Sequence, residues 1–136
     1  SMLAALYLPR LLESFTDKKL MISGCVIMLL SFYILAIWIK LFGISWSALI
    51  IIWITTGIGY SSVLTPIGRI IRKSSDGSDF SQLYAAQFSL SHACWLVMYP
   101  FSGWVMTIYG SIFSLIAVAS IILISTVIAF YSWTSE

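Results

Sequence analysis

Three long stretches of this chain carry no charged side chain: residues 20–39, 41–68 and 80–135. A helix that crosses a bilayer needs ~20 predominantly apolar residues. The first two stretches each hold one such helix. The third is long enough for two, with a turn near Tyr109, Gly110 and Ser111. The pattern predicts an all-α, polytopic transmembrane bundle with full spans near 20–40, 46–68, 82–106 and 111–132. Residues 1–9 are apolar but too short to cross, and no basic segment precedes them, so they do not read as a signal peptide. They read as the last turns of another span whose start lies upstream, with Ser1-Met2 as a tag scar before a true start as the other reading. On the first reading residues 1–136 form one partial transmembrane domain.

Composition points the same way. The chain is 60% hydrophobic and 9% charged, where a soluble domain is about 25% charged. That leaves too little polar side-chain surface for a water-soluble globule of this size. The lipid bilayer is therefore an expected partner. The net charge of +2 gives no reason to expect nucleic acid.

The basic residues orient the spans. Arg10, Lys18, Lys19, Arg69, Arg72 and Lys73 fall in two segments separated by two spans, so both lie on one side; Lys40 alone falls on the other. Basic residues collect on the cytoplasmic side. The loops at 10–19 and 69–81 and the C-terminus are thus expected in the cytoplasm, and the turns near 41–46 and 107–111 outside. Trp38, Trp46, Tyr109, Tyr131 and Trp133 lie near the expected interfaces, where amphipathic rings settle.

The spans differ in chemistry. The span at 20–40 is bulky and aliphatic and is expected to face lipid over much of its surface, with Thr16 and Asp17 capping its start. The span at 46–68 carries Gly57, Ser61 and Thr65 at four-residue spacing, a face on which a neighbouring helix can approach closely. Gly57, Gly59 and Pro66 are also candidate bending points, since proline removes a backbone hydrogen bond. The span at 82–106 holds Gln87, Ser91, Cys94, Met98 and Ser102 on one stripe and Ser89, His92 and Tyr99 on an adjoining one, with Pro100 and Gly103 as a second flexible point. The span at 111–132 is aliphatic with scattered serines and is expected at the periphery.

His92 is the only histidine, and its unperturbed pKa of ~6.5 places its titration near neutrality. Two uses fit a mid-membrane imidazole. It hydrogen-bonds a neighbouring helix, or it carries protons along a polar path, with Gln87, Ser91 and Tyr99 binding solute or fixing its tautomer. No phosphate-binding glycine loop, paired intramembrane carboxylate or metal-ligand cluster is present in the sequence. The chain is not expected to be an enzyme or to hold a cofactor or metal. Cys25 and Cys94 lie within spans and read as apolar fillers.

Several segments resemble the major facilitator superfamily, whose transporters have two six-helix halves, with short basic cytoplasmic loops within each half. Asp17-Lys18-Lys19, before Met21 and Gly24, looks like the loop between the second and third helices of a half. Pro9-Arg10 stands where that loop usually has glycine. Thr65-Pro66-Ile67-Gly68-Arg69, with Arg72 and Lys73, looks like the cytoplasmic end of the tenth helix. Residues 85–92 with 99–104 are similar to the eleventh helix of bacterial efflux-type members. The resemblance implies a fragment running from the end of the eighth helix to the twelfth. It implies secondary active transport of a small solute in a bacterial inner membrane, as proton-driven export, with the other half of the transporter as partner. Two other classes fit the length: a complete four-helix exporter that works as a dimer, and a non-transporting membrane subunit. The first usually has a carboxylate within its first span, and no Asp or Glu lies in any span here.

Overall fold

The computed structural model describes residues 16–75 and 79–133. The short apolar segment 1–9 and Arg10 lie outside them. Four antiparallel helices follow one another: α1 (Asp17–Phe42), α2 (Trp46–Ser74), α3 (Phe80–Tyr109) and α4 (Ser111–Ser132). The all-α bundle and its four helices agree with the pattern of uncharged stretches. Three of them, α1, α2 and α4, are long and apolar enough to cross a membrane, so the chain reads as a multi-pass membrane protein. The fourth, α3, has 30 residues and would reach ~45 Å. Its Gln, Ser, His and Tyr content keeps it from meeting the same standard of hydrophobicity.

Glycine closes the two tight turns. Gly43 and Gly110 adopt φ of 78° and 86°, a region that side chains disfavour. Each donates its N–H back to the preceding helix, Gly43 to Ile39 and Gly110 to Met106, both at 3.0 Å. The expected turn at 109–111 is therefore in place. At the opposite pole α2 does not stop near 68 but continues to Ser74, and α1 already begins at Asp17. The basic residues expected in loops sit instead on helix ends, because a helix can leave the hydrocarbon without unwinding once its side chains reach water.

The packing differs from expectation in two respects. First, α1 is the hub. It packs on both α2 and α4, and it buries Leu20, Gly24, Ser31, Leu35 and Ala36. Its aliphatic composition concealed this, since the side chains of its outer face are equally apolar. Second, the close approach on α2 is at Gly59, not Gly57. A Cβ on Gly59 would lie 2.7 Å from the Gly24 carbonyl oxygen, and one on Gly24 would lie 2.6 Å from that of Gly59, whereas a Cβ on Gly57 meets nothing within 4 Å. The seam of α2 runs through Ile52, Thr55, Gly59, Ser62 and Pro66, a spacing of three and four that follows the helix face. Of the four-residue repeat Gly57, Ser61 and Thr65, Ser61 is buried beside Ser62, and Gly57 and Thr65 are half-buried. Helix α4, expected at the periphery, lies against α1 and α3 and buries only Ser114 and Ala119 among its described residues.

Pro66 is fully buried, and α2 runs through it without a break. In the preceding turns the hydroxyls of Ser61, Ser62 and Thr65 donate to carbonyls four residues back, at 2.9, 2.9 and 2.7 Å. Such back-bonding satisfies hydroxyls in lipid and accommodates proline within a membrane helix. Along the α1–α2 seam the Ser31 and Thr55 hydroxyls meet at 3.0 Å.

Gly59→Ala should therefore destabilise the bundle by about 1–3 kcal/mol, because the new methyl meets backbone that cannot yield. Gly57→Ala should be neutral or stabilising by up to about 1 kcal/mol. Thermal or denaturant unfolding in detergent compares them, and equal effects would show that the Gly24–Gly59 contact does not govern the pair.

Candidate functional site

The basic pole gathers charges around one carboxylate. Asp17 opens α1 and is 9% exposed. Arg69 Nε donates to Asp17 Oδ1 at 2.8 Å, and its Nη2 contacts the same oxygen. Lys73, one turn further along α2, places Nζ 3.5 Å from Oδ2. Arg69 and Lys73 keep 39% and 56% of their side chains exposed, so the cations sit at the rim while the carboxylate is covered. The two helix dipoles favour this arrangement, with an anion at the start of α1 and cations at the end of α2. The expected side-chain cap by Thr16 is not formed, and the Asp17 carboxylate turns to α2 instead.

The other basic residues diverge. Lys18 turns to the opposite side of α1, where Nζ donates to the Trp133 carbonyl at 3.1 Å and lies 4.9 Å from the centre of the Phe130 ring. This joins the start of α1 to the end of α4. Arg72 lies over Phe80 at 5.8 Å, across the link from α2 to α3. Lys19 is exposed. Lys18, Lys19, Arg69, Arg72 and Lys73 thus share one pole, and Lys40 ends α1 at the other.

Helix α3 presents its two stripes differently. Gln87, Ser91, Met98 and Ser102 are half-buried, and Val105 is buried beyond them. Cys94, placed on that stripe by its spacing, is exposed. Ser102 offers its carbonyl to Ser114 Oγ on α4 at 3.0 Å. His92 and Tyr99 lie on the open face, Tyr99 with 69% exposed. Pro100 and Gly103 lie within the continuous helix, and a Cβ on Gly103 meets nothing within 4 Å.

The imidazole bonds to its own helix. His92 Nδ1 is 2.8 Å from the Phe88 carbonyl oxygen. A carbonyl only accepts, so Nδ1 carries a proton in this contact and Nε2 takes no part in it. No hydrogen bond joins His92 to Gln87, Ser91 or Tyr99, or to another helix, among the described residues. The bond to a neighbouring helix is therefore not made within this chain. What surrounds His92 is aromatic: Phe88 at 3.9 Å and Trp95 at 5.4 Å between ring centres, Tyr99 next beyond Trp95 at 6.1 Å, and Tyr60 of α2 at 6.3 Å from Trp95. Phe80 and Tyr84 extend the ladder toward the basic pole. The sequence pattern marks His92 and Tyr99 on this face but not Phe88 or Trp95. Their three- and four-residue spacing was the signal available.

No protein-family model matches the chain, and no curated protein or solved structure is similar to it.

Arg69→Gln should cost about 1–3 kcal/mol, since it strips a covered carboxylate of its direct hydrogen bonds. Lys73→Gln should cost under about 1 kcal/mol, as expected of an exposed ion pair. Unfolding in detergent at low and high salt measures both, and a larger loss at Lys73 would reverse the ranking read from the geometry.

Proposed function

We propose that this chain is the C-terminal part of a secondary active transporter of the major facilitator kind. It moves a small solute across a bacterial inner membrane, as proton-coupled export, with its C-terminus in the cytoplasm. The observation that supports this reading is α3. It is as long as a membrane-crossing helix, yet it has an exposed face bearing His92, Tyr99, Tyr84 and Ser89. Hydrocarbon is a costly neighbour for such groups, which in membrane proteins turn to other helices or to a water-filled path. Neither α1, α2 nor α4 covers that face here. The remaining helices of a larger bundle would cover it or enclose a solute path beside it.

The packing suits alternating access. Helices α1 and α2 are joined along their length by Asp17 with Arg69, Gly24 with Gly59, and Ser31 with Thr55. Helix α3 packs mainly on α4 and meets α2 only sparsely. A rigid pair beside a loosely held polar helix is the arrangement expected where one group of helices rocks against another. In this proposal His92 accepts a proton at Nε2, while Nδ1 stays bonded to Phe88.

Two measurements test the reading. Cysteines replacing Ser75 and Gly43 should react with impermeant reagents from opposite sides of the membrane, Ser75 from the cytoplasm; labelling of both from one side would overturn the topology. In the full-length transporter, His92→Gln should fold normally and lose most proton-coupled transport, because the amide is polar but cannot take up and release a proton. Unchanged rate and pH profile would remove the proton-carrier role.

A further inference from the structure

An apolar cleft of about 420 Å³ opens between α1 and α4. Met21, Ile22, Cys25 and Met28 line it from α1, with Val63 of α2 and Met98 of α3 at its deeper end and Trp133 at its mouth. Thr126 also borders it, but its hydroxyl donates to the Ile122 carbonyl at 2.6 Å, so it presents a methyl-like surface. From the level of Lys18 to that of Met28 is ten residues of helix, or about 15 Å. That is half the ~30 Å hydrocarbon core, the depth of one leaflet.

The mouth has a different character. Lys18 and Lys19 lie four and three residues before Ile22 and therefore on the cleft side of α1. Lys18 is held there by the Trp133 carbonyl and the Phe130 ring. Trp133 and Phe130 supply rings at the level where aromatic side chains meet headgroups. A second apolar cleft, near Ile39, Ile44 and Met106 at the other pole, lies at the end of α1 that carries Lys40. Charge, depth and lining coincide at the cleft beside Lys18 and Lys19.

We propose that this cleft holds one acyl chain of an anionic phospholipid from the leaflet at the basic pole, with the headgroup phosphate between Lys18 and Lys19. An apolar chain has nothing to hydrogen-bond along the wall, which suits a lining of methionine and isoleucine side chains. A phosphate at the mouth gains two cations that Asp17 does not engage, since Asp17 is taken up by Arg69 and Lys73 on the far side of α1. Basic sites between helices at the cytoplasmic surface are a common form of anionic-lipid recognition. The site does not depend on transport and stands or falls separately from that reading.

Native mass spectrometry of the detergent-purified chain tests it, with dioleoyl phosphatidylglycerol and dioleoyl phosphatidylcholine as probes. The chains of the two lipids are identical, so a preference reports the headgroup. One phosphatidylglycerol should be retained, about tenfold or more over phosphatidylcholine. Lys19→Gln, at an exposed site, should reduce that preference severalfold, and Lys18→Gln with Lys19→Gln should abolish it. Ala129→Trp, which fills the cleft from an exposed position of α4, should remove retention of both lipids while circular dichroism stays helical. Lys40→Gln should change nothing. Equal retention of the two lipids by the unmodified chain would overturn the proposal, as would undiminished retention by Ala129→Trp.

Discussion

The backbone contact between Gly24 and Gly59 is the constraint on which the other α1–α2 contacts depend. Lipid tails are as apolar as leucine, so helices in a membrane gain little by hiding apolar surface from one another. They associate through dispersion and polar contacts, and both require closeness. Two glycines at one level let the helices approach until each carbonyl lies against the other's backbone. From that crossing the rest of the seam follows in register. Seven residues toward the basic pole Asp17 arrives beside Arg69, and seven the other way Ser31 arrives beside Thr55. If α1 and α2 stood further apart, the Ser31 and Thr55 hydroxyls would lose each other and the Asp17 carboxylate would lose its cover.

How far this was legible in the sequence depends on which property is asked. Helix number and position follow from where charges are absent, because a charged side chain in hydrocarbon is far costlier than any local propensity. The two glycine turns follow from backbone sterics. Which face of each helix meets another was much less legible. Lipid-facing and protein-facing aliphatic side chains are chemically alike, so α1 read as a lipid-facing helix although it is the hub. Small residues were a better guide, but two candidates two residues apart, Gly57 and Gly59, lie about 200° apart around the helix, and only the partner's Gly24 decides between them. The acidic residue at the start of α1 was visible; its partners, fifty residues on, were visible as a basic group and not as a pair.

The polar helix was legible in composition and misleading in placement. Gln87, Ser91 and Ser102 are the members that turn toward packed surface, while His92 and Tyr99 remain open. The reason lies in what each group needs. Serine satisfies its hydroxyl on its own helix, as Ser91 does on Phe88 and Ser102 on Tyr99, and then behaves as a small residue suited to close packing. Histidine at position 92 bonds its own helix through one nitrogen and retains a second polar atom. Tyr99 adds a ring and a hydroxyl too large for the narrow space against α4.

These differences divide the molecule by how firmly its parts are held. The α1–α2 pair is locked by backbone contact, by a hydroxyl pair and by a covered carboxylate, and α4 is tied to it at the basic pole through Lys18. Helix α3 is tied to α4 chiefly by the tight turn at Gly110 and by the Ser114–Ser102 bond near it. At its opposite end Arg72 of α2 lies over the Phe80 ring. A helix anchored at one end swings most at the other. In the proposed transporter the largest excursion of α3 would therefore fall at the basic pole, beside the Asp17 cluster, and His92, nearer Phe80 than Gly110 along the helix, would move with it. On the proposed reading a change in charge at His92 would then act on the moving part of α3 itself, and the opening would lie at the cytoplasmic mouth.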